Sequence, residues 1–130
     1  MGKLTLCLLI LIMAITSCKT NEKTLGNTEE QPVRIANEEL EYEVIVFDIG
    51  FNRFLNTQAQ PRGFYTPSFL EVKNKFFVSQ YNSRVGNINK WGDFYGPRIN
   101  YENHLHYGYE VNYLLYNYFL FFQQKYNQKL

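Results

Sequence analysis

Hydrophobic and polar positions divide this chain into blocks of different rhythm. A twelve-residue apolar run, Leu4 to Ile15, follows a single positive residue, Lys3. From Lys19 to about Asn37 the chain is polar and holds no aromatic residue. Glu41 to Ile49 is rich in β-branched and aromatic residues, with Tyr42, Val44 and Val46 on one side of a two-residue alternation, which predicts a strand. Asp48-Ile-Gly50 then caps a short predicted helix, Phe51 to Thr57, with Phe51, Phe54 and Leu55 on one side. Candidate partners for the strand are the segment around Arg98 to Tyr101 or a second copy of the chain.

Two longer helices follow. Pro67 suits a first helical turn and Ser68 to Glu71 has capping-box spacing. Phe69, Val72, Phe76, Phe77 and Tyr81 recur every three or four residues up to a stop at Gly86, so a helix is expected over about 67–85. Tyr109 to Gln128 predicts the second, with Val111, Leu114, Leu115, Tyr118, Phe119 and Phe122 as its core stripe. The centre of that helix is apolar nearly all round, as for a helix buried on more than one side, and too short to cross a membrane. Between them, Gly86 to Gly108 is rich in Gly, Asn and Pro yet carries Trp91, Phe94, Tyr95, Ile99 and Tyr101. A long loop so furnished should pack on the helices, and long ordered loops often carry function. The expected fold is mainly α: a small single domain with two long antiparallel helices, one short helix and a minor strand near the start.

Composition sharpens this. The chain has 11 Tyr, 11 Phe and one Trp, all from Tyr42 onward, and each buried ring removes roughly 150–250 Å² from water. A small core can rest on few such residues. Net charge is +1. An acidic lead-in, Cys18 to Phe47, precedes a mildly basic body, but no Lys/Arg cluster appears, so nucleic acid is excluded as a partner.

The start of the chain speaks about location. A basic start, a short apolar core and small residues make a secretory signal. Ile15-Thr16-Ser17-Cys18 resembles the lipobox of bacterial lipoproteins. The resemblance implies cleavage after Ser17, diacylglycerol on the Cys18 thiol and, in many species, a further acyl chain such as palmitate on the new amino terminus. Several chains make release from a membrane very slow, at about 0.8 kcal/mol per buried CH₂. Residues 1–17 are then signal peptide, 18–40 the lipidated Cys and a disordered tether, and 41–130 an aromatic-rich globular domain. Lys19, rather than an Asp, after Cys18 favours the outer membrane, on its periplasmic side.

Candidate chemistry is sparse. Glu102, His104 and His106 alternate, so an extended chain would turn a carboxylate and two imidazoles to one side, a set suited to a metal or a metal-dependent hydrolase. The plainer use is local hydrogen bonding in a polar loop. Trp91, Tyr95, Tyr109, Tyr113 and Tyr116 offer a possible interaction surface for a protein or a cell-wall sugar, or else the edge of the core. Asn112 and Asn117 interrupt the apolar helix and suit backbone or loop groups within the fold. No Gly-x-Ser-x-Gly elbow surrounds Ser68, Ser79 or Ser83, and no phosphate-cradling glycine loop is present. No catalytic residue and no cofactor is assigned.

The strings Tyr42-Glu-Val-Ile-Val-Phe-Asp48, Phe64-Tyr-Thr-Pro-Ser-Phe-Leu-Glu71, Ile99-Asn-Tyr101 and Tyr107-Gly-Tyr-Glu-Val-Asn-Tyr-Leu-Leu-Tyr-Asn-Tyr118 resemble an uncharacterised family of small lipoproteins from Bacteroidota. That resemblance supports the anchor and the domain limits and supplies no catalytic residues. The expected function is a membrane-anchored envelope lipoprotein acting as a non-enzymatic interaction or structural module. The alternative is the metal-binding protein or hydrolase.

Overall fold

A computed structural model describes residues 31–130. Residues 1–17, Cys18 and the first part of the expected tether lie outside the described residues. The elements run β1 (Val33–Asn37), a 3-10 turn (Glu38–Leu40), β2 (Tyr42–Val46), α1 (Phe51–Thr57), α2 (Pro67–Arg84), α3 (Ile88–Trp91) and α4 (Tyr109–Lys125).

The expected architecture is corrected here. Among the described residues there are four helices, three of seven residues or more, and a two-stranded antiparallel sheet rather than one lone strand. The partner of β2 is neither the Arg98 segment nor a second copy. It is β1, with Val33 opposite Val46 and Asn37 opposite Tyr42. β1 falls in the stretch expected to be tether, where only Val33 and Ile35 alternate with Arg34 and Ala36, too weak a signal alone. Asn37 closes the hairpin: its side chain accepts from the Leu40 N–H at 3.2 Å and donates to the Tyr107 carbonyl at 3.0 Å. β1, ahead of residue 41, therefore packs with the domain through its pairing with β2.

The Arg98 segment is denied to β2 by its own hydrogen bonds. The Asn82 side chain donates to the Ile99 carbonyl at 2.7 Å and accepts the Ile99 N–H at 2.9 Å, taking both backbone groups a strand would offer. Tyr81 accepts the Gly96 N–H at 2.8 Å. The loop is thus sewn to α2 and stands apart from the sheet.

The two long helices pack together, but their contacts advance in the same direction. Asn74 meets Asn112, Phe77 meets Phe119, Tyr81 meets Phe122, and Arg84 donates to the Lys129 carbonyl. That sense is parallel, opposite to expectation. An 18-residue helix is about 27 Å long. The loop from Val85 to Gly108 is long enough to carry the chain back along that length, whereas a short turn would have forced the antiparallel pair.

α4 lies at the centre. α2 packs on one side, β1 on another and α1 on a third. Eleven of its residues are buried, from Val111 through Phe119 and then Phe121 and Phe122. Phe51 and Phe54 of α1 meet the Phe121 ring at 5.4 and 5.7 Å. Gly50, which turns the chain from β2 into α1, has φ +102°, a conformation that strains any L side chain, and it lies beside the Phe121 ring. On α2 the core face is Leu70, Asn74, Phe77, Val78 and Tyr81. Phe69, Val72 and Phe76, expected in the core stripe, are exposed.

Asn112, which interrupts the apolar rhythm of α4, meets Asn74 of α2 inside the core, while Asn117 donates to the Tyr113 carbonyl of its own helix. Asn74 donates to the Asn112 carbonyl at 2.9 Å and to Asn112 Oδ1 at 3.0 Å. The same oxygen accepts the Tyr101 hydroxyl at 2.7 Å, and the Asn112 amide donates to the Gly108 carbonyl. One buried amide therefore ties α2, the loop and the start of α4 together, which fixes how the two helices register. Burial, with the Glu71 carboxylate and Tyr107 nearby, pushes the Tyr101 hydroxyl up to about 12.

Candidate functional site

A groove of about 620 Å³ lies between β2 and the loop Phe94–Asn100. One wall is the outer edge of β2. In a two-stranded sheet β1 satisfies only one edge of β2, so the other presents backbone N–H and C=O groups to the groove. The other wall is Phe94, Gly96, Pro97, Arg98 and Ile99, and Tyr81 and Tyr118 form the floor. β2 is also apolar on its outward face: Ile45, Phe47 and Ile49 project there, with Phe47 74% and Ile49 76% exposed. Edge strands are usually guarded by lysine, proline or a bulge. Here Glu41, Glu43 and Asp48 border the groove and the apolar row remains open.

One end of the groove is closed by a polar cluster on Asp48. Tyr118 donates to its Oδ2 at 3.1 Å, Tyr126 donates to its Oδ1, and the Lys125 ammonium lies 3.1 Å from that same Oδ1. Lys125 also donates to the Ile49 carbonyl at 3.0 Å. Burial, then the neighbouring Tyr81 and Asp48, raise the Tyr118 hydroxyl well above its ordinary value, so it stays a donor. Tyr126 is raised by burial and by its bond to the Asp48 carboxylate. Every strong donor and acceptor in the cluster is matched. It pins the end of β2 to the last turn of α4 and gives the groove a fixed shape.

The expected metal set does not assemble. The Leu105 N–H bonds back to the Glu102 carbonyl at 3.2 Å, so the segment turns where an extended chain was expected. His104 faces Glu102 at 3.4 Å, while His106 is directed at Glu71 on α2 at 3.2 Å. Both imidazoles are exposed, and no group of three metal-binding side chains occurs among the described residues.

The expected aromatic platform is also corrected. Tyr95, Tyr113 and Tyr116 are buried in the core. Trp91 is half-buried, with the Arg84 guanidinium 4.3 Å from its ring centre, and Arg84 donates to the Tyr95 hydroxyl at 2.9 Å. Tyr109 and Tyr113 sit at the other end of α2. There Tyr109 accepts the Gly63 N–H, Tyr113 donates to the Gln60 carbonyl at 2.7 Å, and Arg62 forks onto Glu110. These rings hold loops. Sequence reasoning missed the groove because it offered the Arg98 segment as a partner for β2, whereas that segment is the opposite wall. The signal that could have found it was the outward row Ile45, Phe47, Ile49 beside an unpaired edge.

Hairpin, three substantial helices and a strapped loop thus define a small α+β domain with an edge-strand groove. The chain belongs to a family of unknown function, DUF6146, which it matches over residues 4–130. No curated protein and no solved structure matches it.

Proposed function

We propose that this chain is a lipid-anchored envelope lipoprotein, of the Bacteroidota kind, that works by binding an extended segment of a partner protein along β2. The observation that carries the binding role is the open outer edge of β2 facing a preshaped groove. A peptide laid there would add a third strand. Its backbone would bond to the free edge, and alternate side chains would rest on Phe47 and Phe94. The rigid floor, with its hydroxyls already partnered, lowers the cost of ordering on binding.

The anchored part of the reading rests on the apolar run and Cys18. The family match begins at residue 4 and so takes in both, which supports a shared leader. Lys19 supports the outer membrane, facing the periplasm.

Two measurements test the proposal. Changing Cys18 to Ala should leave an unprocessed precursor, and the intact mass of the natural product should begin at Cys18 with added acyl mass. A photo-crosslinker in place of Ile45 should trap one discrete partner in intact cells, and one in place of Glu39 should not. A lysine in place of Phe47 should abolish the Ile45 crosslink while leaving the fold intact. Equal labelling from both positions would end the groove reading.

A further inference from the structure

A second apolar surface lies on α2, outside the groove. Phe69, Val72 and Phe76 share one side of the helix, and Phe64 stands just before it; all four are exposed. At 100° per residue this stripe is roughly 140° round from the buried face of Leu70, Asn74, Phe77 and Tyr81. The helix is therefore apolar on two sides; the core covers one and reaches the other only at Phe69, whose ring meets Tyr116 at 5.7 Å.

The charges beside the outer stripe are of one sign. Lys73 lies on one flank, its ammonium 5.8 Å from the Phe69 ring centre. Lys75 lies on the other, sharing a shallow depression with Arg98. The one acid within α2, Glu71, turns away to His106. Among the described residues neither lysine is paired with an acid.

We propose that this face of α2 rests on an anionic lipid bilayer, with Phe64, Phe69, Val72 and Phe76 entering the interface and Lys73 and Lys75 meeting headgroup phosphates. An aromatic and aliphatic stripe between lysines is what an interfacial helix presents, with the lysine stems reaching past the apolar zone to the headgroups. The length of chain before the domain points to the same occupant. This part rests on the anchor reading. Twelve residues separate Cys18 from Gln31, and a polar chain of that length reaches roughly 20 Å. That is less than the width of a 100-residue domain, whose radius of gyration is about 13 Å. A domain so held stays close to its bilayer. The row Ile45, Phe47, Ile49 is poorly suited to meet that bilayer, because its neighbouring cations Arg34 and Lys125 are already paired with Glu43 and Asp48, and Glu41 adds a negative charge.

The test uses the acylated protein in vesicles of phosphatidylethanolamine and phosphatidylglycerol. An environment-sensitive dye is placed at Val72→Cys or, as the control, at Glu39→Cys. The Val72 dye should shift to the blue and lose roughly half its emission to a nitroxide-bearing lipid, and the Glu39 dye should do neither. Adding Lys73→Glu and Lys75→Glu should return the Val72 dye to aqueous emission while the protein still floats with the vesicles. A fully aqueous Val72 dye on protein that floats would overturn the docking and leave the anchor standing. Protein that fails to float would overturn both. Shielding of the Val72 dye without lipid, rising with protein concentration, would assign the face to a second copy and overturn the proposal.

Discussion

α2 and α4 are of nearly equal length and both rich in rings, yet their surroundings differ completely. α4 is enclosed by α2, the hairpin and α1, and eleven of its seventeen residues are buried. α2 touches the core along one face and shows a second apolar face to the outside. The difference is clearest at two adjacent residues: Phe77 is 8% exposed and packs on Phe119 at 5.5 Å, while Phe76 is 51% exposed. Apolar rhythm marks which faces are able to be buried. What is available to cover them decides which ones are.

The sharpest way to break this contrast is at its centre. Phe77→Ala should cost about 3–5 kcal/mol, because it opens a cavity against Phe119 and Tyr116 that rigid neighbours cannot fill. A urea midpoint within error of the parent would mean that α2 does not pack on α4 as described.

Next in size is the amide that registers the two helices. Asn112→Ala removes the side-chain acceptor of the Tyr101 hydroxyl and of one of the two Asn74 amide bonds, the other to the Asn112 carbonyl remaining, at about 1–3 kcal/mol for each unsatisfied group less what water recovers. Equilibrium unfolding should show a loss of about 2–4 kcal/mol with an unchanged denaturant slope. Asn112→Asp would also remove the donor to Gly108 and should not rescue it.

Alkali probes the whole core at once. The hydroxyls of Tyr101 and Tyr116 are each pushed up to about 12, chiefly by burial, and Tyr118 is also raised. A tyrosine whose folded value exceeds its unfolded value of about 10 binds its proton more tightly in the folded state. Stability is then fully present below about pH 10 and falls as the pH climbs from there through the folded values. Urea midpoints should be level between about pH 7 and 9 and drop steeply above about pH 10. Tyrosinate absorbance of the native protein should lag behind that of unfolded chain. Coincident titrations would show that the rings are not shielded.

The smallest effect completes the pair. Phe76→Ala should change stability by no more than about 0.5 kcal/mol, since most surface substitutions stay in that range. A loss approaching that of Phe77→Ala would place the residue in a buried interface in solution and dissolve the distinction between the two faces.

Local order was legible from the residues alone, because spacing and caps are local properties. The short helix falls at Phe51–Thr57, and the two long ones at Pro67–Arg84 and Tyr109–Lys125, where rhythm, Pro67 and the flanking glycines put them. Thr66, not Ser68, supplies the cap, accepting the Phe69 N–H at 3.2 Å. The relative direction of the long helices was not legible, since it depends on a returning loop whose path is set by bonds back to Tyr81, Asn82 and Arg84, 11 to 17 residues earlier in the chain. β1 was invisible for a related reason. Val33 and Ile35 become a strand only when β2 lies beside them. The alternation of Glu102, His104 and His106 was read as a shared side, and a turn at Leu105 separates them. Side-chain chemistry and periodicity belong to the chain; which face is covered, which edge stays open and which groups meet belong to packing, because each needs partners many residues away.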